Sequence, residues 1–263
     1  MEQTFRKFVI ERVVAESDSI KSFYLVPADG AQLVPYKAGQ YLPVKVAAPD
    51  CGKSWVRLYT ISDYAPSARH YRLSVKREAG GACSAFLHDH AVAGTTLAVA
   101  SPTGSFCVQG SAAGPVVLIA GGVGVTPILA MAKAILQGDC RFDIHTFYGV
   151  RDGAAHAFKD ELAHLSHKHS AFHLCTAYSR PRVAHDRVGV DFDHEGRVNI
   201  ELVRERLGAA FAQAIYYVCG PSAMIAQITA GLNAAGVSID RIHTESFLPG
   251  IALSAAATAV ELP

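Results

Sequence analysis

The sequence predicts two unlike halves: an antiparallel β-barrel or sandwich, then an open parallel sheet flanked by helices. Three observations predict this. Up to about residue 110, short apolar segments are separated mostly by Pro, Gly and Asp, the spacing of an all-β unit. From Val116 onward, apolar strand-like runs alternate with helical patterns. Between the two lies Gly110-Ser111-Ala112-Ala113-Gly114-Pro115, which reads as a linker.

In the first half the candidate strands are Phe8–Val14, Lys21–Val26, Gln40–Val46, Val56–Ser62, Tyr71–Lys76, Thr96–Ala100 and Phe106–Val108. One of them carries Arg57-Leu58-Tyr59-Thr60-Ile61-Ser62. In a strand, Arg57, Tyr59 and Ile61 share one face, and Leu58, Thr60 and Ser62 the other. Arginine suits a phosphate and tyrosine offers a ring to stack on. An ordinary strand with one solvated face has the same pattern. Further on, Gly80, Gly81 and Ser84 precede a short helix. Such a helix start serves a phosphate or a plain capped turn.

The second half begins with Val116-Val117-Leu118-Ile119-Ala120, a strand buried on both faces. Gly121, Gly122 and Gly124 follow and let the backbone turn sharply. Thr126 then reads as a helix cap and Pro127 as the first helical residue. Ile128, Leu129, Met131, Ala132, Ile135 and Leu136 give that helix an apolar face, and Gly138 ends it. A glycine turn leading into a helix suits an anionic phosphate, through free amides and the helix dipole. It also suits a plain tight connection, and Pro127 stands where G-x-G-x-x-G has its third glycine. Further strands are expected at Phe142–Tyr148, Phe172–Tyr178, Ile215–Cys219 and Ile242–Phe247. Helices are expected at Phe158–Leu165, Ile200–Leu207 and Ala223–Ala235. Ligands of open parallel sheets bind beyond the strands' C-terminal ends. Those ends are Gly121–Thr126, Tyr148-Gly149, Tyr178-Ser179-Arg180, Cys219-Gly220-Pro221 and Glu245-Ser246-Phe247.

Bulk properties exclude several classes. The 263 residues carry a formal charge of +1, which gives no reason to expect nucleic acid or an anionic membrane. No apolar run reaches membrane-spanning length, and Met1–Lys7 has no signal-peptide core. The six cysteines, Cys51, Cys83, Cys107, Cys140, Cys175 and Cys219, form no C-x-x-C pair. They read as reduced cytoplasmic thiols rather than a disulfide frame, a zinc site or an iron–sulfur site. His164, His167, His169 and His173 cluster at a helix end without metal-like spacing, so no metal is expected.

Five motifs then stand in order: Arg57-Leu58-Tyr59-Thr60, Gly80 to Asp89, Ser101 to Phe106, Gly121 to Pro127 and Cys219-Gly220-Pro221. In this order the chain, from about residue 5 to 250, resembles the ferredoxin–NADP reductase superfamily, above all the reductase portion of flavohaemoglobins. The resemblance implies a flavin-binding β-barrel over residues 1–112. It implies a doubly wound parallel-sheet nicotinamide-binding domain over 113–250 and a tail or linker over 251–263. It implies FAD ahead of FMN as cofactor, and NADPH or NADH as substrate.

The resemblance also implies roles. Arg57 would hold flavin phosphate, Tyr59 would pack on the isoalloxazine and ribityl region, and Thr60 would bond near flavin N5. Val75 and Lys76 would touch flavin through their backbone. Gly81, Ala82 and Ser84 would form the pyrophosphate-binding helix start. Gly122, Gly124, Thr126 and Pro127 would cradle the nicotinamide nucleotide, and Gly220 and Pro221 would line its path. Cys219 would sit beside the nicotinamide and Phe247 would shield the flavin face. Thr60, Cys219, Glu245 and Phe247 would set the geometry of hydride transfer. Ser179 and Arg180 would read the adenosine ribose, and with no acid in Tyr178–Arg182 the segment leans toward NADPH. The acceptor would be a protein such as a ferredoxin or haem protein, with free flavin, ferric iron or oxygen as alternatives. The Ala-rich tail reads as the start of a linker to a ferredoxin domain. A non-catalytic flavin-binding or docking module is the competing expectation.

Overall fold

The computed structural model describes residues 4–48, 53–108, 114–138 and 142–247. The first sheet comprises β1 (Arg6–Ala15), β2 (Ile20–Pro27), β3 (Tyr41–Ala48), β4 (Lys53–Thr60), β5 (Tyr71–Lys76) and β6 (Thr96–Val99). Its order is β4-β3-β6-β1-β2-β5, antiparallel throughout. Ile61, just past β4, bridges to Leu73 of β5 and so joins the two edge strands. That closure makes the sheet barrel-like and protects its edges. Ile10, Leu25, Leu42, Val44 and Ile61 fill the interior. Helix α1 (Ala82–His90) follows β5 and adds Cys83 and Leu87 to the same core.

The second sheet comprises β7 (Val116–Gly121), β8 (Ile144–Val150), β9 (Phe172–Tyr178), β10 (His194–Glu195), β11 (Ile215–Cys219) and β12 (Ile242–Glu245). Its order is β10-β9-β8-β7-β11-β12, parallel throughout. Helices α2 (Val125–Gln137), α3 (Lys159–Lys168), α4 (Ile200–Leu207) and α5 (Ser222–Ala234) accompany it. β7 is buried along its whole length because both faces are covered. Leu118 and Ala120 pack with α2, whereas Val117 and Ile119 pack with α4 and α5. The chain winds outward from β7 to β10 and then returns to β11 on β7's other side. The reversal leaves a crevice between the C-terminal ends of β7 and β11, the usual ligand position in such sheets.

Three expectations need correction. Phe106–Val108 forms no strand; the pairing nearby is an isolated bridge from Thr103, ahead of the segment, to Tyr41. Gly104 turns the chain there at φ +115°, and Phe106 is buried in the apolar cluster shared with α2. Thr126 does not cap α2. A 3₁₀ turn over Gly122–Gly124 runs into the helix, Gly124 takes the cap position, and the Thr126 hydroxyl donates back to the Val123 carbonyl at 3.0 Å. Pro127 is therefore the third helical residue. The short β10 has no apolar pattern to announce it. Part of the expected linker, residues 110–113, lies outside the described residues, as do Cys51, Cys140 and the tail 251–263.

Candidate functional site

The crevice is built by close backbone approach. A Cβ on Gly124 would lie 2.2 Å from the Cys219 carbonyl oxygen, and one on Gly121 would meet Pro221 and Met224. The glycines therefore let the turn after β7 press against the turn after β11. Gly122 differs: its φ is +54° and nothing lies within 4 Å of its Cβ position. There the left-handed backbone is what favours glycine, and no neighbouring atom excludes a side chain.

Cys219 and Glu245 are register partners on β11 and β12. Cys219 is fully buried. Burial, and then the nearby Glu245 carboxylate, push its thiol well above the usual range, so it stays protonated. Burial likewise pushes the Glu245 carboxyl up to about 7, and its Oε2 is buried without a hydrogen-bond partner. Phe247 is 39% exposed rather than packed in a core.

On the barrel, Arg57, Tyr59 and the start of α1 come together. The Tyr59 hydroxyl lies 3.6 Å from Cys83 Sγ, and the charge of Arg57 acts on both groups. Burial first, and Cys83 second, hold the Tyr59 phenol far above its ordinary range. Arg57 is half-buried and donates to the Val56 carbonyl at 2.9 Å. Thr60 is buried with its hydroxyl unpartnered. The Ser84 hydroxyl is engaged locally: it donates to the Gly81 carbonyl and accepts from the Glu78 amide. The Gly81 amide is engaged too, donating to the Glu78 carbonyl at 3.0 Å, so donors for a phosphate there are the backbone amides from Ala82 onward. An open cavity of about 470 Å³ lies over Arg77–Ala82 and Ala85. The Val75 carbonyl contacts His88 Nε2 at 2.8 Å, and Lys76 pairs with Glu78 at 3.0 Å.

At the end of β9, the amides of Ser179 and Arg180 donate to the Val150 and Arg151 carbonyls. Arg180 is exposed and, among the described residues, has no side-chain hydrogen bond or ion pair. Arg182 is held instead by Asp186, at 3.0 Å. Spacing alone gave no sign of that pairing.

Helix starts complete the geometry. The first turns of α1, α2 and α5 have neither a side-chain cap nor an acidic residue. By contrast, α4 is capped by the Asn199 side chain, and α3 carries Asp160 and Glu161 in its first turn. Uncapped starts without acids leave amides and a positive dipole end available to an anion at α1 and α5, whereas at α2 the Val125 amide already donates to the Gly122 and Val123 carbonyls of the preceding turn.

Residues 7–107 match the oxidoreductase FAD-binding domain family, and residues 118–230 match the oxidoreductase NAD-binding domain family. The chain belongs to the ferredoxin–NADP reductase-like oxidoreductases. It is 40% identical to a flavohemoprotein of Deinococcus radiodurans over 93% of this chain and 60% of that one. It is 38% identical to a flavohemoprotein of Rhizobium meliloti, over 94% and 61% respectively. The chain thus spans about 60% of the length of these relatives. Among solved structures it resembles the flavohem-like FAD/NAD-binding domain of a nitric oxide dioxygenase from Vibrio cholerae. The TM-score is 0.80 at 29% identity, covering 94% of this chain and 99% of that one. Phthalate dioxygenase reductase gives 0.73 at 26%, covering 92% and 68%.

The residues of this oxidoreductase fit both nucleotides. Arg57 and the acid-free starts of α1 and α5 supply donors for phosphates, Gly122 leaves open space, and the Thr60 hydroxyl and Glu245 carboxyl are unpaired. Far from these groups, at the N-terminal ends of β8 and β9, Asp143, His145 and His173 bring ligand-type atoms within 4.8 Å of one another. There His173 pairs with Asp143 at 3.5 Å and stacks on His145. No helix among the described residues is long and apolar enough to cross a membrane.

Proposed function

We infer that the chain is an FAD-dependent NAD(P)H reductase that passes electrons on to an acceptor. The observation that carries this is the juxtaposition of buried Cys219 and half-buried Glu245 at the strand ends where α2 and α5 of the NAD-binding domain begin without acids or side-chain caps. When bound, the nicotinamide and flavin supply hydride transfer and onward electron transfer. Arg57 and the amides from Ala82 onward, at the helix start that Gly81 opens, hold the flavin's phosphates. Tyr59 packs beside the flavin, the Thr60 hydroxyl donates near its N5, and the backbone of Val75 and Lys76 lines its edge. Gly122, Gly124, Thr126 and Pro127 shape the nicotinamide nucleotide's phosphate cradle, with Gly220 and Pro221 on its other side. Cys219, Glu245 and Phe247 fix the closeness of the two rings and exclude water. Ser179 and Arg180 contact the adenosine ribose and favour NADPH while admitting NADH.

The division falls at 112/113, and reduced thiols such as Cys83, Cys107, Cys175 and Cys219 suit the cytoplasm. A haem protein or a ferredoxin is the acceptor. Purified protein should be yellow and should bleach anaerobically with NADPH or NADH. A colourless protein that stays inert after FAD is added would refute the reading in favour of a non-catalytic docking module. Mixing the reduced protein with a haem protein or with a ferredoxin then distinguishes the two acceptors by their spectra.

A further inference from the structure

Four charges meet where the barrel touches the nucleotide domain. Asp63 and Arg72 belong to the barrel, Lys133 to α2 and Glu161 to α3. Arg72 Nη1 donates to Glu161 at 2.7 Å, and Arg72 Nη2 donates to the Ser62 carbonyl at 2.6 Å. Lys133 donates to Glu161 at 2.7 Å and also to Asp63. The Arg72 side chain is only 4% exposed, and its Nε is buried without a partner. Burial opposes the charge on Arg72, Lys133 and Asp63 alike. For the two cations Glu161 and Asp63 outweigh it and hold both raised; for Asp63 a hydrogen bond with His70, then the charges of Arg72 and Lys133, hold the carboxyl well below the usual range.

The same guanidinium lies 4.9 Å over the ring of Phe158. Phe158 sits at φ +58° at the start of α3, the one non-glycine residue with positive φ among those described. A left-handed backbone at a bulky residue is strained and persists where the surroundings over-determine it. Two further contacts cross nearby: Gln137 donates to the Tyr64 carbonyl, and the Asp18 amide donates to the Ala154 carbonyl.

The placement of the charges gives the network its meaning. Asp63 lies three residues past Thr60, at the end of the Arg57–Thr60 segment, and Lys133 lies on the helix that starts at the glycine turn. The ion pairs therefore tie the flavin-side strand directly to the nicotinamide-side helix. We propose that Arg72, Glu161, Lys133 and Asp63 form an interdomain clamp whose members are positioning residues for hydride transfer: they set how the nucleotide domain seats on the barrel and touch neither nucleotide. This rests on the reductase reading above. Removing one member leaves a buried charge uncompensated, which favours separation of the two surfaces. A shift on the order of 1 Å between reacting rings costs up to about a hundredfold in rate.

Glu161→Gln is the test, because Glu161 is partly exposed and its replacement spares the barrel strands. Two measurements are made. Stopped-flow reduction at saturating nicotinamide should slow by about tenfold or more, with flavin retention and nicotinamide affinity unchanged. Hydrogen exchange on the flavin-free protein should lose protection at Ser62–Tyr64 and in the first turn of α3, with both cores unchanged. Glu161→Asp should recover part of each effect. A limiting rate within about twofold of wild type overturns the clamp. So does a slower rate accompanied by flavin loss or by exchange throughout the cores, since that is a stability role. Wild-type protein inert to both nicotinamides would instead refute the reductase reading, and hydrogen exchange would still decide whether Glu161 holds the interface.

Discussion

Glu245→Gln should alter how stability depends on pH. Folding raises this carboxyl from 4.5 to about 7 because burial disfavours its charge. A raised acid holds its proton more tightly in the folded chain. Its contribution to stability is fully present below the unfolded value and is lost as pH rises through the folded value. Across that window, at about 1.4 kcal/mol per pH decade, the loss comes to about 3 kcal/mol. Glutamine has nearly the same shape and does not titrate. It also brings a buried amide that needs partners, but that cost does not vary with pH. The informative quantity is therefore the gap between variant and wild type as a function of pH. In thermal melts of flavin-free protein, the gap should move in the variant's favour between pH 4.5 and pH 8 by about 3 kcal/mol, or roughly 6–12 °C in Tm for a chain of this size. Parallel curves over that range would mean that Glu245 ionises freely in the folded protein, and would remove it from the buried crevice.

Three further outcomes are expected. Arg57→Ala should weaken flavin retention by about 1.5–3 kcal/mol through loss of a charge-assisted phosphate contact, checked by flavin fluorescence after desalting; unchanged retention contradicts the role. Cys219→Ala should leave flavin bound yet slow its reduction in stopped flow, because only the approach of the nicotinamide is disturbed; an unchanged rate makes Cys219 a packing residue. Arg180→Ala should raise the KM for NADPH about tenfold, on the order of 1.4 kcal/mol, and spare NADH. Equal effects on the two substrates would show that Arg180 does not read the 2′-phosphate.

The difference between Arg180 and Arg182 shows what a sequence hides. Both stand in one basic segment, and spacing treats them alike. In the fold Asp186 takes Arg182, with oxygens within 3.0–3.3 Å of its guanidinium nitrogens, and leaves Arg180 exposed. Arg72 is harder to see, because its partner Glu161 lies 89 residues away and the strand Tyr71–Lys76 otherwise reads as an ordinary barrel strand. Local patterns were legible where neighbours in sequence are neighbours in space. β7, its glycine turn and the apolar face of α2 are of this kind. The closure of the barrel depends on the Ile61–Leu73 bridge, and barrel and sandwich share one strand pattern until that bridge is known.

The glycine turn itself carries the last step. From sequence, each glycine after β7 admits a close ligand. In the fold Gly124 admits the Cys219 carbonyl, against which any Cβ would stand at 2.2 Å, whereas Gly122, of the three glycines after β7, combines a left-handed backbone with free space. An alanine at Gly124 would therefore force β7 and β11 apart whether or not a nucleotide is present, and would displace Cys219 with them. The requirement for glycine is the same in both readings, but its cause at Gly124 is the joining of the two strands that frame the crevice. Substitution at Gly124 probes the crevice's architecture through a steric clash, whereas at Gly122 it acts through the left-handed backbone and through the space in front of it.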